Sequence, residues 1–521
     1  MGRVTLETAA AQDYDLCVLG AGPAGCATAT AAAEAGLSVL LVDWGENMPG
    51  PAPDMLEIPE GVPNDDDARI VRQGLGGTLD LWGGICVPME ADDFQLRPRR
   101  LAHRPRNLYS LDRPGRRFPG RGATLRHGPS RRLATSARSA LRPGRPTDGA
   151  LAPALRARLP SSDSGLNLLL GVQGMSLVWD GNTMRELQLC PFAQGEVRNV
   201  MTGTVVLVYV GLEVARMLLL ETRRCASSQT TGTSWLSRGY IGHLTSSVAT
   251  MRFIQASVAT TVGYHHVRRL EPERRRLLTL SGDRIDASLW LRNLSRGNPA
   301  HLSGEFSVKA LLRNRRVNRV GHLRNVAADP GGAVRGVHLG SYTCLRPIRH
   351  AERLAVRPRA ACQLTYHGEH LPDRSSLVSL RKIPAADGLP GLRVSFCYGE
   401  ETVAGLMVIH RRLATRLQAD RSSKIEMLDD DKVPVRAIRA MDRHGCHRIG
   451  QTQMARNPAV DVVDVDSRMH KTAKLFVSLI SIFSTTSQAN PILMIIALSL
   501  RLAMHLASQY RIVRSVPVAA V

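Results

Sequence analysis

The chain has 521 residues, 44% of them apolar and only 4% aromatic, which allows two or three domains and a sizeable core. Its formal charge of +23 is concentrated: between Arg97 and Pro160 seventeen arginines face two acids, Asp112 and Asp148, so the remainder is only moderately basic and calls for no nucleic-acid partner. Nine cysteines without a C-x-x-C pair exclude a disulfide or zinc framework and point to a reducing, cytoplasmic setting.

At the N-terminus, the apolar run Leu16–Leu19 leads directly into Gly20-Ala21-Gly22-Pro23-Ala24-Gly25 and an alanine-rich segment ending at Gly36. That pattern predicts strand, tight turn and helix. In the spacing G-x-G-x-x-G, Gly20 permits the turn, Gly22 lets the backbone approach a pyrophosphate, and Gly25 lets helix pack closely on strand. A second strand, Ser38–Val42, ends in Asp43, where a carboxylate would accept ribose hydroxyls. The expected ligand is a dinucleotide, its phosphates at the helix N-terminus.

A second glycine-rich segment, GLGGTLDLWGGICVP, runs from Gly74 to Pro88. Residues 97–160 then show neither strand nor helix periodicity and are rich in Arg, Pro, Gly and Ser, so no buried core is expected of them. Three readings stay open there: a frame-disturbed or degenerate stretch, a disordered linker, or a patch for nucleic acid or anionic membrane. The third is weakened by the absence of regularly interleaved aromatics.

Further on, TVVLVYVGLEVARMLLL (Thr204–Leu220) predicts strand then helix with Gly211 at the turn, and RGYIGHLTSSVATMRF (Arg238–Phe253) follows. The alternation in Tyr366–Phe396 predicts two strands. Near the end come HGCHRIGQTQMARNPAVDVVDVDSRMH (His444–His470) and an apolar segment from Leu475 to Leu506. Its longest late apolar run, Ile492–Leu500, is too short to span a bilayer, so no integral membrane segment is expected. Asn490 followed by Pro491 reads as a helix start.

These motifs, in this order, resemble the glucose-methanol-choline (GMC) oxidoreductase family over roughly residues 12–97, 165–255 and 360–510. The resemblance implies an α/β fold: a Rossmann-like FAD-binding domain built from discontinuous segments, plus an antiparallel-sheet substrate domain. The implied pieces are 12–96, 161–254 and 431–510 for the FAD-binding domain and catalytic segment, and 255–430 for the substrate domain, with 97–160 poorly ordered. Pro23-Ala24-Gly25 after the second glycine points to FAD, and the family's loop along the flavin matches Gly76, Gly77, Thr78, Trp82, Gly83 and Gly84. Leu81 stands where some members carry a flavin-linked histidine, which implies non-covalent FAD. Matching on Gly450 puts His447 at the catalytic histidine and Asn490 at its partner; His243 reads as structural. Departures are Leu79 for Ser, Val208-Tyr209-Val210 for small residues, Gln451 for Thr, Leu479 for Gly or Asp, Ser484 for Pro and Ser487 for Gly.

The implied reaction is oxidation of a CH–OH group in an alcohol, sugar or polyol, with His447 as base and an unidentified electron acceptor. Two alternatives from other classes remain: a remnant with impaired flavin binding, and a basic scaffold for polyanions. No G-x-S-x-G elbow, P-loop lysine or H-E-x-x-H is present, and Asp429-Asp430-Asp431 lacks calcium-loop spacing, so no metal ligand set is predicted.

Overall fold

The computed structural model describes residues 2–45, 74–77, 165–224, 235–253, 277–293, 361–427, 447–487 and 491–515, with short gaps inside some of these, together with strands at 56–57, 132–133 and 136–139 and helical pieces between 307 and 334.

The first βαβ unit forms as the glycines dictate. Strands β1 (Gly2–Arg3) and β2 (Leu16–Leu19) flank helix α1 (Leu6–Ala10), and helix α2 (Pro23–Glu34) then leads to β3 (Val39–Asp43). Every side chain of β2 and β3 is buried, as in a strand covered on both faces. Past the end of α2, Gly36 takes φ +93° and its N–H closes on the Ala33 carbonyl, the left-handed stop that glycine supplies.

Beyond β4 (Leu56–Glu57), β5 (Arg132–Leu133) and β6 (Ser136–Ser139), the chain builds β7 (Leu166–Leu170), β8 (Val172–Asp180), β9 (Thr183–Pro191), β10 (Arg198–Met201) and β11 (Val205–Leu207). Helix α3 (Gly211–Arg224) follows, then β12 (Leu244–Phe253), β13 (Leu277–Ser281), β14 (Asp286–Asn293) and helix α4 (Arg319–Ala328). The last third holds β15 (Ala361–Gly368), β16 (Leu377–Pro384), β17 (Pro390–Ser395), helix α5 (Glu400–Ala419), β18 (Ser423–Met427), β19 (Leu475–Val477) and helix α6 (Ile492–Ser515).

Two main sheets result. The first is parallel throughout, in the order β1-β7-β3-β2-β11-β19, and therefore draws its strands from three distant parts of the chain. The second is antiparallel, β18-β12-β15-β14-β13-β6-β5, with α5 packed against it. Smaller sheets are β10-β9-β8 and β16-β17-β4. Each main sheet has its own apolar core, one around β2, β3, β11, β19 and α6, the other around β12, β15, β17 and α5. This is the Rossmann-like domain and the antiparallel substrate domain that the sequence implied.

Three expectations are adjusted. β12 pairs with β15 and β18, so the passage into the substrate domain falls just before Leu244 rather than at 254. Part of the arginine-rich segment is placed: β5 and β6 form a hairpin whose β6 pairs with β13 at the sheet edge. Finally, α6 runs through Arg501 for 24 residues and is long and apolar enough, by length and composition, to cross a membrane. Two-thirds of that stretch is buried within the protein, and Leu502, Ala503 and Leu506 lie in the core against which α2 packs. A core helix hydrophobic nearly all round accounts for it. Arg501 interrupts the apolar run in sequence only, because its guanidinium reaches out to Asp466 at 2.5 Å.

Candidate active site

The C-terminal ends of β2, β3 and β11 form a crevice at which the first glycine motif sits. Gly20 has φ +119°, and a Cβ there would stand 2.8 Å from the Val208 backbone. At Gly25 a Cβ would lie 1.7 Å from the Gly20 carbonyl, so helix and turn can touch only without a side chain. Gly22 differs: a Cβ there would meet nothing within 4 Å. It caps α2 with no side-chain hydrogen bond, and Pro23 fills the first turn. The helix N-terminus thus faces open space, the arrangement in which backbone N–H groups take an anion.

The carboxylate of Asp43 braces this turn through three backbone donors. It accepts the N–H of Ala21 at 2.7 Å, of Gly45 at 2.9 Å and of Gly74 at 2.8 Å. Burial pushes its pKa up while those three donors pull it down, and burial wins. Of about four acceptor positions on a carboxylate, one is left for a ribose hydroxyl. The second glycine segment docks on the first through Gly76, whose N–H bonds the Ala21 carbonyl at 2.8 Å, and Gly74, Gly76 and Gly77 all have positive φ. Thr78, Trp82, Gly83 and Gly84 lie outside the described residues, as do Leu79 and Leu81.

At the turn after β11, Val208 and Tyr209 are buried, with the Val208 side chain 3.1 Å from where a Gly25 Cβ would be. The Tyr209 ring stands 6.3 Å from that of Trp44. Gly211 allows the Arg448 carbonyl to come within 2.6 Å of its missing Cβ, so the segment carrying His447 lies against the N-terminus of α3. Gln451 is wholly buried there, and neither its Oε1 nor its Nε2 has a hydrogen-bond partner. A buried amide left unpaired costs about 1–3 kcal/mol, so a polar ligand is what this place accommodates. The open N-terminus of α2 fits the phosphates of a bound dinucleotide, and the orphaned Gln451 amide beside Gly211 offers a second polar contact.

His447 is held by a segment with little freedom. Ile449 and Ile241 exchange both backbone hydrogen bonds, at 2.9 and 3.0 Å, and Gly450, with φ +89°, lets the Gly239 carbonyl approach within 2.5 Å of its missing Cβ. Thr452 and Met454 then donate to the Ser481 and Ile482 carbonyls. Leu479, buried and extended, begins the turn that receives them. The His447 ring lies at the seam between the two main domains, beside His243, which just precedes β12, and His367 on β15. Desolvation lowers the His447 pKa to about 4, leaving the ring neutral at neutral pH.

Around this ring, sequence reasoning missed several residues. His367 lies flat on His243 with centroids 4.1 Å apart, and burial lowers its pKa to about 3. Thr486 accepts His243 Nε2 on its carbonyl at 3.1 Å and the His370 N–H on its hydroxyl at 2.9 Å. Glu369 receives the Thr485 hydroxyl. No motif marks these residues; only the placement of 367–370 against 484–487 joins them. Asn490, the expected partner of His447, lies outside the described residues, so His447 is seen with His243 instead.

Comparison with known proteins agrees with this architecture. An FAD-binding domain model matches residues 15–53, and a GMC oxidoreductase model matches residues 372–499. No curated protein sequence matches the chain. Among solved structures, pyridoxine 4-oxidase from Mesorbium loti is similar at 14% identity and TM-score 0.52, covering 94% of this chain and 99% of that one. Formate oxidase is similar at 14% identity and TM-score 0.51, covering 96% and 99%. An FAD-dependent oxidoreductase from Chaetomium thermophilum is similar at 12% identity and TM-score 0.54, covering 96% and 100%. The shared fold and the matched N-terminal segment agree on an FAD-binding domain. A GMC oxidoreductase region, matched over residues 372–499, is what the last third of the chain shares with that family.

Proposed function

We propose that the protein oxidises a CH–OH group of a small alcohol, sugar or polyol, with FAD held non-covalently and His447 as the general base. The observation that carries the reading is His447 itself: a neutral, desolvated imidazole fixed at the seam between the domain with the nucleotide crevice and the substrate domain. Such a ring accepts one hydroxyl proton per turnover. The chemistry FAD supplies when bound is acceptance of the hydride that leaves the same carbon. Asn490 is proposed to hold the substrate oxygen and to stay neutral throughout. The buried rings of Tyr240, Phe396, Tyr398 and His370, packed edge to face at 4.9–5.3 Å, give the substrate domain a dry wall near the site.

An alcohol suits this base better than formate does. A carboxylic acid is already ionised at neutral pH and has no proton for a neutral imidazole to take.

A second reading, a remnant with impaired flavin binding, is favoured by Asp43, whose carboxylate is spent largely on backbone N–H groups. The visible spectrum of the purified protein separates the two. Flavin bands near roughly 370 and 450 nm, released by acid, support a non-covalent holoenzyme, and bleaching by an alcohol that is lost in His447→Ala supports the base. A colourless protein that takes up no added FAD leaves the second reading.

A further inference from the structure

We infer that His243 is a positioning residue that fixes the tautomer of His447: held on the Thr486 carbonyl through Nε2, it accepts the Nδ1 proton of His447 and leaves the His447 lone pair on Nε2. The inference rests on the reading of His447 as the base and assigns the atom that acts.

The direction of each hydrogen bond follows from what each group can do. A backbone carbonyl only accepts, so at 3.1 Å from Thr486 O the Nε2 of His243 carries the proton. A neutral imidazole protonated at Nε2 has its lone pair on Nδ1. That Nδ1 is 2.9 Å from the Nδ1 of His447, a hydrogen-bond distance that two unprotonated nitrogens would not hold, so His447 Nδ1 donates. A neutral imidazole has one N–H, which leaves Nε2 of His447 as the basic atom. The three groups form a one-way series from His447 through His243 to Thr486.

Each link is fixed from outside. Ile241 is tied to Ile449 two residues from each histidine, which sets the distance between the rings. His367 stacks on His243 at an interplanar angle of 12° and holds its plane. Thr486 is pinned by its hydroxyl on the His370 N–H, and His370 Nδ1 in turn receives the Gly242 N–H at 3.3 Å.

The same three histidines have nitrogen atoms within 4.8 Å of one another, the spacing of a metal site. Their orientation argues against one. Lone pairs lie in the ring plane, and the stacked rings of His243 and His367, 4.1 Å apart at 12°, lie in near-parallel planes, so one ion cannot sit in the plane of both.

The test is proton-detected ring 15N spectroscopy of the full chain labelled in histidine, with His447→Asn and His243→Asn used to assign signals. The expected spectrum shows a protonated Nδ1 and a bare Nε2 for His447, and the reverse for His243. A protonated Nε2 on His447, or stoichiometric zinc in the purified protein, overturns the inference. In kinetics, His243→Leu is expected to lower kcat about 10- to 100-fold with little change in KM, as for other outer-shell partners of a working imidazole. His243→Asn keeps an oxygen facing His447 and is expected to restore most of the loss; equal loss in both variants speaks against positioning. Failure of the parent reading looks different: turnover surviving in His447→Ala removes the catalytic role, while the tautomers of the resting protein stay as they are.

Discussion

Asp43 accepts the Ala21 N–H at 2.7 Å, which ties the end of β3 to the middle of the first glycine turn. The residue at the end of the second strand, expected to read the ribose, also ties three backbone segments together. Asp43→Ala would leave the N–H groups of Ala21, Gly45 and Gly74 without their acceptor, at about 1–3 kcal/mol for each buried donor. Thermal unfolding of the FAD-free protein is expected to shift markedly downward. A ribose contact alone predicts unchanged stability without FAD and a loss seen only in FAD titration.

The glycines of the first motif do different work, and alanine separates them. Gly22→Ala adds a Cβ into open space at an ordinary backbone conformation, so the unfolding temperature without FAD is expected to stay near wild type. FAD affinity is expected to fall by tenfold or more, about 1.4 kcal/mol, because the methyl occupies the approach to the helix N-terminus. Gly25→Ala collides with the Gly20 carbonyl and is expected to give little folded protein. Equal FAD affinity in Gly22→Ala and wild type would move the phosphate site elsewhere.

The two domains are joined by a buried ion pair. Arg216 on α3 makes a two-pronged contact with Asp387 in the β16–β17 turn, at 2.6 and 2.8 Å, and its remaining N–H groups reach the Leu389 and Pro390 carbonyls and Glu213. Removing one partner strands the other charge in the interior, so Asp387→Ala is expected to cost about 3–5 kcal/mol. Arg216→Met with Asp387→Leu is expected to cost less than Asp387→Ala alone. Denaturant unfolding of wild type, Asp387→Ala and the double variant decides it, and a double variant less stable than Asp387→Ala would show that a stranded charge is not what the single variant suffers from.

The parts of this fold that were legible in the sequence are those encoded locally. The βαβ unit at 16–43 shows because an all-apolar strand, a glycine turn and an alanine helix each leave a short-range pattern. Gly450 marks the segment that carries His447 for a similar reason, since its positive φ and its contact with Gly239 favour no other residue. What stayed hidden depends on long-range placement. The bond between His243 and His447 spans 204 positions, and that between His243 and Thr486 spans 243. Helix α6 was legible from Asn490-Pro491 through its apolar residues to Leu506, past Arg501 and His505; its last turns, to Ser515, were not, because the apolar pattern ends there. The bracing role of Asp43 stayed hidden for a chemical reason: a carboxylate at a strand end can serve a ribose, a backbone N–H or both, and its N–H partners at Gly45 and Gly74 come from other turns.

Acid should weaken the protein through its buried histidines. His370 and His410 are depressed to about 4 and His367 to about 3 by burial, as His447 is to about 4. In the unfolded chain each returns to about 6.5. Between those values the unfolded chain binds the extra protons, so stability is full above about pH 6.5 and is lost as pH falls toward 4, by up to about 1.4 kcal/mol per pH unit for each histidine. Glu213 and Glu221, raised by burial, act in the opposite sense over part of that range. The measurement is therefore differential: unfolding free energy against pH for wild type and for His367→Phe, which keeps a flat ring on His243 but cannot titrate. The variant is expected to lose less stability between pH 6.5 and 4, and parallel curves would show that His367 is protonated at no cost in the folded protein.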